Sequence, residues 1–431
     1  MDDWLSRHPP ERTALITAGG SISYGELDAG ASAAARQLAA LGVSEGWRVA
    51  TTLPPGRAFA ELLHALPRLG ASLVPLNTRL TAAERRWQVE DSGARLVVDE
   101  PLAGPEEELT PGEHDEWALI YTSGTSGSAR GVSLSHGNFA ASALASAWNL
   151  GVDPDDRWLC VLPLFHVGGL SILTRSALYG TAAVVHPSFD AERVTAALRA
   201  GEVTLASLVP TMLRRLVDCG LEQAPALRAA LLGGGPVPRD LLEWAAERDL
   251  PVLQTYGMTE TCSQIATLTA TEAVTMQGSA GRPLPGVELE IAPDGEILVR
   301  GPMVSRAALA GDGRLHTGDR GRLDERGYLW VEGRLKDVIV TGGENVACAE
   351  VERVLEEHPA VVEAAVVGLP DPEWGEAVTA YVVLLDGVAA EELIAHCRDR
   401  LAAYKAPRAV HEVDELPRNA AGKLLRRQLV G

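Results

Sequence analysis

Short apolar runs alternate with Ala-, Leu- and Arg-rich stretches from about residue 13 to residue 300. The runs 117–121, 204–209 and 229–232 predict strands, because each is apolar and is followed by a turn rich in Gly, Ser or Pro. The stretch 138–148 is typical of an Ala-rich helix. Strands that alternate with helices in this way indicate an α/β fold built of layers.

The pattern changes after residue 333. Val351, Val354 and Leu355 lie on one face of a predicted helix, and the runs 364–367 and 378–385 predict two strands before a second helix at about 391–401. These elements would form a small α+β domain of about 95 residues. We therefore predict a large N-terminal layered α/β domain over 1–333, a charged linker at 334–337, and a C-terminal domain over 338–431.

Composition and charge exclude several classes of protein. The chain has 431 residues, of which 46% are apolar and 22% charged, as expected for a folded protein with a sizeable core. A net charge of −20 disfavours nucleic acid as a partner. The five scattered cysteines form no CxxC pair, which argues against a disulfide framework or a zinc site. The acidic N-terminus and the lack of a long apolar run predict a cytoplasmic protein without a membrane span.

The segment 122–131, TSGTSGSARG, is the most informative candidate site. Its glycines would let backbone N–H groups approach phosphate oxygens, its hydroxyls would donate hydrogen bonds, and Arg130 would supply charge. The segment is not a Walker A loop, because no Gly-Lys-Ser/Thr follows at the required spacing. A flexible surface loop is the alternative interpretation of such a Ser/Gly run.

Two further segments combine side chains suited to a nucleotide and a metal ion. In 254–261, QTYGMTET, Tyr256 could stack on a purine, Thr259 could bind a phosphate oxygen, and Glu260 could hold Mg²⁺. Asp319, in the run HTGD, and Arg334 could grip a ribose and a phosphate. The alternative interpretation of 254–261 is a structural turn. The alternative interpretation of the HTGD run is an exposed turn.

Two single residues complete the candidates. Lys423 lies on a Pro- and Gly-bounded loop near the C-terminus, where most lysines are merely solvated. His166, in LPLFHVGG, is surrounded by apolar residues and two glycines, so a buried core histidine is its alternative interpretation.

Taken together, in their order and spacing, these segments resemble the acyl-adenylate-forming superfamily of acyl-CoA synthetases, stand-alone adenylation domains and luciferases. The resemblance covers nearly the whole chain and includes 122–131, 233–236, 256–260, 317–319, 333–337, 342–345 and Lys423. Within that superfamily, 162–169, 207–213 and 256–264 are most similar to the o-succinylbenzoate–CoA ligases of menaquinone biosynthesis.

The resemblance implies a two-step reaction. A carboxylic acid and ATP give an acyl-adenylate and pyrophosphate, and coenzyme A then displaces AMP, with Mg²⁺ as the metal cofactor. It also implies that the C-terminal domain is mobile and rotates between the two steps. The same mechanism on another aryl or aliphatic acid, a carrier protein as acceptor, and a non-catalytic ligand-binding homologue remain alternatives. Monomer and homodimer are both open.

The resemblance also assigns roles to individual residues. It implies that Lys423, Thr259, Glu260 and His166 are catalytic, and that Glu260 binds the metal. The residues implied to bind ATP or AMP are Thr122, Ser123, Gly124, Thr125, Ser126, Gly127, Arg130, Gly233, Gly234, Gly235, Gln254, Tyr256, Gly257, Asp319 and Arg334. Those implied to contact the acid are His166, Gly168, Gly169, Ser207, Thr211, Gly257 and Met258. Gly342 and Gly343 would line the coenzyme A channel, and Lys336 would be the hinge.

The chain departs from the family pattern at two of these segments. Ala129-Arg130 stands where a Pro-Lys pair is usual, so the charge is kept but the reach and geometry differ. A Pro that commonly follows Gly-Glu-Asn is absent, and the segment 346–349 with Cys348 stands there instead.

Overall fold

The computed structural model describes residues 3–122, 129–235, 237–335, 337–341, 344–371, 374–385, 387–401, 403–419 and 424–430. The chain divides into two compact units. The first consists of Met1–Glu288 with Val299–Leu315, and the second consists of Leu289–Leu298 with His316–Gly431. Within the described residues, no helix is both long and apolar enough to cross a bilayer.

The first unit contains two sheets. Its strands are β1 Thr13–Thr17, β2 Gly20–Ser23, β3 Arg48–Thr51, β4 Ser72–Pro75, β5 Leu96–Val98, β6 Glu116–Thr122, β7 Arg130–Ser135, β8 Arg157–Cys160, β9 Ala182–Val185, β10 Leu205–Leu208, β11 Ala229–Leu232, β12 Val252–Met258, β13 Ser263–Thr267 and β14 Arg282–Pro283. Nine strands form one sheet in the order β14-β13-β12-β11-β10-β8-β9-β1-β2, and five form the other in the order β5-β3-β4-β6-β7.

Helices cover these sheets. They are α1 Tyr24–Ala40, α2 Arg57–Ala65, α3 Ala82–Ser92, α4 His136–Leu150, α5 Val167–Tyr179, α6 Ala191–Arg199, α7 Pro210–Asp218 and α8 Arg239–Glu247. Short 3-10 turns occur at Leu66–Leu69, Thr259–Thr261 and Arg306–Ala308. The start of α4 is defined locally, because Ser135 accepts from the Asn138 N–H and the Asn138 side chain accepts from the Ser135 N–H.

The centre of the nine-stranded sheet is parallel and buried on both faces. Strands β9, β10 and β11 read AAVV, LASL and AALL, and every one of their residues is buried. Such runs cannot face water on either side, so helices must cover both faces. One core cluster joins these strands to α6, α7 and α8 through residues such as Val194, Leu213, Leu216 and Leu241.

The second unit also has two sheets. Its strands are β15 Glu288–Ile291, β16 Glu296–Arg300, β17 Leu315–Leu323, β18 Leu329–Arg334, β19 Val338–Thr341, β20 Glu344–Ala347, β21 Val361–Asp371, β22 Gly375–Leu384 and β23 Ala409–Glu412, and its helices are α9 Cys348–Glu356, α10 Ala390–Arg398 and a 3-10 turn at Arg426–Gln428. One sheet has the order β15-β16-β17-β18, and the other has the order β20-β19-β22-β21 with β23 beside β22. Val351, Leu355, Val366, Val382 and Leu393 form part of its core.

These elements agree with the layered α/β class predicted from the sequence. The predicted strands at 117–121, 204–209 and 229–232 are β6, β10 and β11, and the predicted helix at 138–148 is α4. The packing of the second unit extends further than the predicted C-terminal domain, because β15 to β18 belong to it. The functional boundary at 334–337 stays a prediction.

Candidate active site at the carboxyl ends of the parallel strands

Strand order reverses direction between β8 and β10. From β8 the chain passes through α5 to β9 on one side, and from β9 it passes through α6 to β10 on the other side of β8. The pairings of β8 with β9 and of β8 with β10 are both parallel, and the connections that leave the carboxyl ends of β8 and β10 run to opposite sides, to β9 and to β11. A crevice at such a reversal is where open α/β sheets bind ligands. The site is therefore expected among the segments that follow β8, β10, β11 and β12.

His166 occupies the crevice side of β8. It is the residue before α5, and its side chain does not cap that helix. Its Nε2 is buried and has no hydrogen-bond partner among the described residues. Burial lowers the pKa of His166 to about 4, and the charge of Arg79 adds to the effect. The imidazole is therefore neutral at neutral pH and has one ring nitrogen available to a ligand.

The two glycines after His166 differ in what their backbones contact. A Cβ on Gly169 would lie 2.4 Å from the Pro163 carbonyl oxygen, so packing within the protein requires glycine there. A Cβ on Gly168 would lie 3.3 Å from Leu162 Cδ1, which is a tight contact with a side chain that can shift. The backbone of Gly168 is therefore less enclosed than that of Gly169. Gly168 is the better suited of the two to the predicted contact with the acid.

Ser207 and Thr211 lie on the β10 side of the crevice. The Ser207 hydroxyl accepts a hydrogen bond from Trp158 Nε1 at 3.1 Å, so it already has a partner inside the sheet. Thr211 is the second residue of α7 and is half-buried, with Pro210 before it at the helix start. Their predicted contact with the acid stays a prediction.

The three glycines after β11 open the backbone beside the crevice. A Cβ on Gly233 would lie 2.8 Å from Thr255 Cγ2 on β12, and Gly234 has a φ of +83°, so neither position accommodates a side chain easily. Gly235 has no atom within 4 Å of a Cβ position. Its exposed backbone can lie against a flat ligand such as the predicted adenine.

The Tyr-Gly-Met-Thr-Glu segment spans the end of β12 and the 3-10 turn Thr259–Thr261. A Cβ on Gly257 would lie 1.9 Å from the Ser263 carbonyl oxygen, because the chain folds back tightly into β13. Glu260 is half-buried, and its carboxylate has no hydrogen-bond or ion-pair partner within the described part of the chain. Its main-chain oxygen accepts from the Ser305 N–H at 2.8 Å, which fixes the turn while the carboxylate stays available.

Gln254 and Tyr256 lie earlier on β12. Gln254 is 7% exposed, and its side-chain oxygen accepts from the Gly278 N–H at 2.7 Å, so the amide is directed at the main chain. Its assignment to the nucleotide stays a prediction. Tyr256 is half-buried at the crevice end of the strand, as a residue that stacks on a purine would be.

The predicted phosphate loop connects two paired strands. Thr122 ends β6 and lies opposite Arg130, which begins β7, so the two ends of the segment are neighbours. Arg130 is exposed, and its Nη2 lies 3.4 Å from the Ala307 carbonyl oxygen. The predicted ligands Ser123, Gly124, Thr125, Ser126 and Gly127 lie outside the described residues.

Asp319 and Arg334 meet in the second unit. They lie opposite each other on β17 and β18, and Arg334 Nε is 2.7 Å from Asp319 Oδ1. Asp319 is 5% exposed, and its N–H donates to Thr317 Oγ1 at 3.0 Å. The structure thus brings together the acid and the base that the sequence analysis paired.

Four other predicted residues are outside the described part of the chain: Lys423, Lys336, Gly342 and Gly343. An ion cluster includes described residues close in sequence to two of them, Lys336 and Lys423. Arg426 binds Asp337 Oδ2 at 2.7 Å and both carboxylate oxygens of Glu352 at 2.8 Å. This cluster joins the residue after Lys336 to a residue three positions after Lys423.

A buried polar group that was not predicted from the sequence lies beneath the Thr-Glu turn. Arg175 on α5 is 2% exposed and donates to Gln264 Oε1 at 3.2 Å and to Ser142 Oγ at 3.1 Å. A charged residue within the apolar stretch GGLSILTRSALY was the available signal for Arg175. Ser142 gave none, because small polar residues are common in an Ala-rich helix.

Comparison with known proteins identifies the family. The AMP-binding enzyme profile matches residues 1–108 and 98–307, and the profile of the AMP-binding enzyme C-terminal domain matches residues 350–423. The chain belongs to the AMP-binding enzyme family. The family resemblance read from the motifs is therefore confirmed, and family members provide comparisons over the full length of the chain.

Three relatives illustrate the similarity. The 2-succinylbenzoate–CoA ligase of Geobacillus kaustophilus (strain HTA426) is 43% identical, over 100% of this chain and 97% of its own. The o-succinylbenzoate CoA synthetase (MenE) of Bacillus subtilis, in complex with the acyl-adenylate intermediate OSB-AMP, is 41% identical with a TM-score of 0.92, over 100% of this chain and 98% of its own. The same enzyme with ATP and magnesium ion has the same identity and TM-score, with coverage of 100% and 99%.

Proposed function

We propose that this chain is an AMP-forming ligase that joins 2-succinylbenzoate to coenzyme A at the expense of ATP. The observation that carries this proposal is the end-to-end match, at 41% identity, to an enzyme solved with the acyl-adenylate of that acid. The expectation of an AMP-forming acid–thiol ligase, made from the motifs, is confirmed. ATP, Mg²⁺ and coenzyme A are the co-substrates and cofactor that follow.

The first step brings anions together, because a carboxylate must attack the α-phosphorus of ATP. Catalysis of such a step depends on positioning and on neutralisation of charge. The neutral His166 would border the acid without adding charge, and its unpartnered Nε2 could hydrogen-bond to the substrate. The exposed backbone of Gly235 and the ring of Tyr256 would hold the adenine. Thr259 would contact the α-phosphate.

Mg²⁺ fits the chemistry of Glu260. Magnesium prefers hard oxygen ligands and is held in nucleotide sites by one or two carboxylates together with phosphates. The Glu260 carboxylate has no partner within the described residues and lies on a turn fixed through its main chain. When bound, the ion would offset part of the phosphate charge.

Other residues act at the remaining parts of the nucleotide and in the second step. The phosphate loop from Thr122, with Arg130, would hold the β- and γ-phosphates. The Asp319–Arg334 pair would bind the ribose, since the carboxylate can accept from hydroxyls while Arg334 holds it in place. Lys423 would bridge the acid and the α-phosphate in the first step. Rotation about Lys336 would then bring Gly342 and Gly343 to the coenzyme A channel.

The test uses purified protein with ATP, Mg²⁺, coenzyme A and a panel of acids: 2-succinylbenzoate, benzoate and medium-chain fatty acids. Mass spectrometry detects each acyl-CoA. We expect conversion of 2-succinylbenzoate to exceed that of the other acids by at least about 10²-fold, because a site built for a polar group rejects ligands that lack it. Equal conversion of a fatty acid would contradict the assigned substrate. Pyrophosphate exchange without any thioester would indicate a different acceptor.

The partners of this reaction are small molecules. The oligomeric state, the absence of a nucleic-acid partner and the cytoplasmic location stay predictions from the sequence. Size-exclusion chromatography with light scattering would determine whether the chain is a monomer or a homodimer.

A further inference from the structure

The turn Thr259–Thr261 is shaped by hydrogen bonds close to it in sequence, such as that from the Met258 N–H to Thr261 Oγ1 at 3.0 Å. The turn ends at Cys262, whose φ of +51° lies in the left-handed region that residues with a side chain rarely adopt. The Cys262 carbonyl oxygen accepts from Ser142 Oγ on α4 at 2.7 Å. These bonds shape the turn and its end, and none of them involves Glu260 itself.

Ser305 links Glu260 to the strand that follows the phosphate loop. It is 0% exposed, and its N–H donates to the Glu260 carbonyl oxygen at 2.8 Å. Its Oγ donates to the carbonyl oxygen of Ser133 on β7 at 2.6 Å. Strand β7 begins at Arg130, at the end of the phosphate loop. One buried residue therefore connects the segment assigned to Mg²⁺ with the segment assigned to the phosphates.

The chain on both sides of Ser305 is also attached near the phosphate loop. Asn138, at the start of α4, is 6% exposed, and its Nδ2 donates to the carbonyl oxygens of Pro302 at 2.9 Å and Val304 at 3.1 Å. On the other side, the Ala307 carbonyl oxygen accepts from Arg130 Nη2 at 3.4 Å. These bonds keep the segment 302–307 folded when the Ser305 hydroxyl is removed. Loss of the hydroxyl should therefore shift Ser305 relative to β7 without unfolding the segment.

The distance between Glu260 and the phosphate loop matters because one ion must contact both a carboxylate and phosphate oxygens. Mg²⁺ requires nearly ideal octahedral geometry, with ligands at about 2.0–2.1 Å. A displacement of about 1 Å from a productive arrangement can lower a rate by about 10²-fold. A residue that fixes this distance therefore affects how readily Mg²⁺–ATP is bound for reaction, although it does not contact the ion.

We propose that Ser305 is a positioning residue that sets the distance between Glu260 and the phosphate loop. It acts through two main-chain oxygens, those of Glu260 and Ser133. This inference rests on the proposed function. It adds to that function a residue that contacts neither substrate nor metal ion and that lies outside the segments singled out in the sequence.

The decisive variant is Ser305→Ala, which removes the bond to Ser133 and keeps the N–H that donates to Glu260. A hydrogen bond of this kind changes an equilibrium by about fivefold to tenfold. The Mg²⁺ concentration that gives half-maximal pyrophosphate exchange should therefore rise about fivefold to tenfold. The rate at saturating Mg²⁺ should return to within about twofold of the wild type, because the bound ion favours the productive position of the turn.

The second half-reaction reports on folding. Thioester formation from added acyl-adenylate should stay within about twofold of the wild type in Ser305→Ala, because that step does not use the Mg²⁺–ATP complex. Loss of both half-reactions by the same factor, with an unchanged Mg²⁺ requirement, would mean that Ser305 serves only the fold and would overturn the proposal.

Ser72→Ala is the matched control. Ser72 on β4 is also 0% exposed, and its Oγ donates to the Glu116 carbonyl oxygen on β6 at 2.9 Å. Glu116 lies at the opposite end of β6 from Thr122, where the phosphate loop begins. This variant loses the same kind of buried bond, so its Mg²⁺ requirement should equal that of the wild type. An equal Mg²⁺ requirement in Ser305→Ala and Ser72→Ala would contradict the proposal.

A double variant tests whether Ser305 acts through Glu260. In Glu260→Gln the carboxylate is lost, so adding Ser305→Ala should change the Mg²⁺ requirement by less than about twofold. If the same fivefold to tenfold rise persists in that background, Ser305 acts by another route and the proposal is wrong. If the wild type forms no adenylate from 2-succinylbenzoate but activates another acid of the panel, the proposed substrate fails, and the same comparison is made with that acid.

Discussion

The ion cluster of Arg426 with Glu352 and Asp337 should make a pH-dependent contribution to the stability of the second unit. Glu352 is 9% exposed in its side chain, and besides Arg426 it accepts from the Val366 N–H at 2.8 Å. Replacing Arg426 by methionine keeps most of the volume but leaves this buried carboxylate without a counter-ion. A buried charge that loses its partner is costly, whereas an intact pair contributes little net stability.

The magnitude follows from the burial of the two partners. Loss of one partner from a buried pair costs about 3–5 kcal/mol. Arg426 is 25% exposed in its side chain, and the Val366 hydrogen bond remains, so we expect about 3 kcal/mol at pH 8. Burial already raises the pKa of Glu352 above its ordinary value, and Arg426 opposes that rise. Arg426→Met should therefore raise the pKa of Glu352 further.

The pH dependence has a definite sign. A carboxyl group whose folded pKa exceeds its unfolded pKa binds its proton more tightly in the folded state. The variant therefore loses stability as the pH rises through the folded pKa of Glu352 and regains it on acidification. Each pKa unit corresponds to about 1.4 kcal/mol, so the loss measured at pH 8 should be smaller by at least that amount at pH 5.

The assay is amide hydrogen exchange of the β21 peptide, which contains Val366, at several pH values. Local exchange is preferable to a single melting temperature, because a chain with two units need not unfold in one step. Arg353→Met is the matched control, since Arg353 pairs with Glu357 on the surface of the same helix, at 65% and 38% exposure. Exposed pairs of this spacing contribute only about 0.3–0.5 kcal/mol.

Two outcomes would refute this reasoning. The first is a destabilisation by Arg426→Met no larger than that of Arg353→Met. The second is a destabilisation that does not shrink at acid pH. A double change of Arg426 and Glu352 to methionine should recover most of the loss, because apolar residues of similar volume often replace a buried ion pair at little cost.

Four further predictions concern activity. Gly257→Ala should lower adenylation by at least about 10²-fold, since its Cβ would overlap the Ser263 carbonyl oxygen, while circular dichroism stays native. The pH profile of adenylation between pH 6 and 9 should show no ionisation of His166, whose pKa is about 4, and His166→Gln should leave that profile unchanged in shape. Glu260→Gln should lower pyrophosphate exchange by about 10²–10³-fold and weaken the response to Mg²⁺ titration. Lys423→Ala should reduce adenylation by a similar factor but spare thioester formation from added acyl-adenylate, and equal loss in both steps would contradict its assigned role.

Much of the fold was predictable because its signals are local. The buried strands β10 and β11 are continuous apolar runs, and the turns after them contain Pro or Gly, so strand and loop could be located from the sequence. Asp319 and Arg334 were paired from the sequence as an acid and a base that could grip a ribose and a phosphate, and the register of β17 and β18 places the two residues opposite each other.

What could not be predicted depends on contacts between distant residues. Ser142 and Cys262 are 120 positions apart, and nothing in either segment indicates that a hydroxyl on α4 meets a strained carbonyl after β12. Gln254 illustrates the converse case. Its place in a motif suggested a ligand contact, whereas the fold supplies the Gly278 N–H as a partner. The family motif identifies the segment that lies at the site. It does not indicate which side chains of that segment hydrogen-bond to the protein and which contact the ligand.

The divergence of the chain at β8 and β10 also affects how the enzyme can change during evolution. The residues expected around the acid come from the ends of separate strands, and each end is carried by a sheet whose interior is already packed. A substitution at Thr211 or Gly168 therefore alters one wall of the pocket without disturbing the strands that support the others. Substitutions at one strand end can therefore change which acid binds while the other strand ends keep their structure. Variant libraries restricted to these strand ends should yield altered selectivity more often than libraries spread over the core.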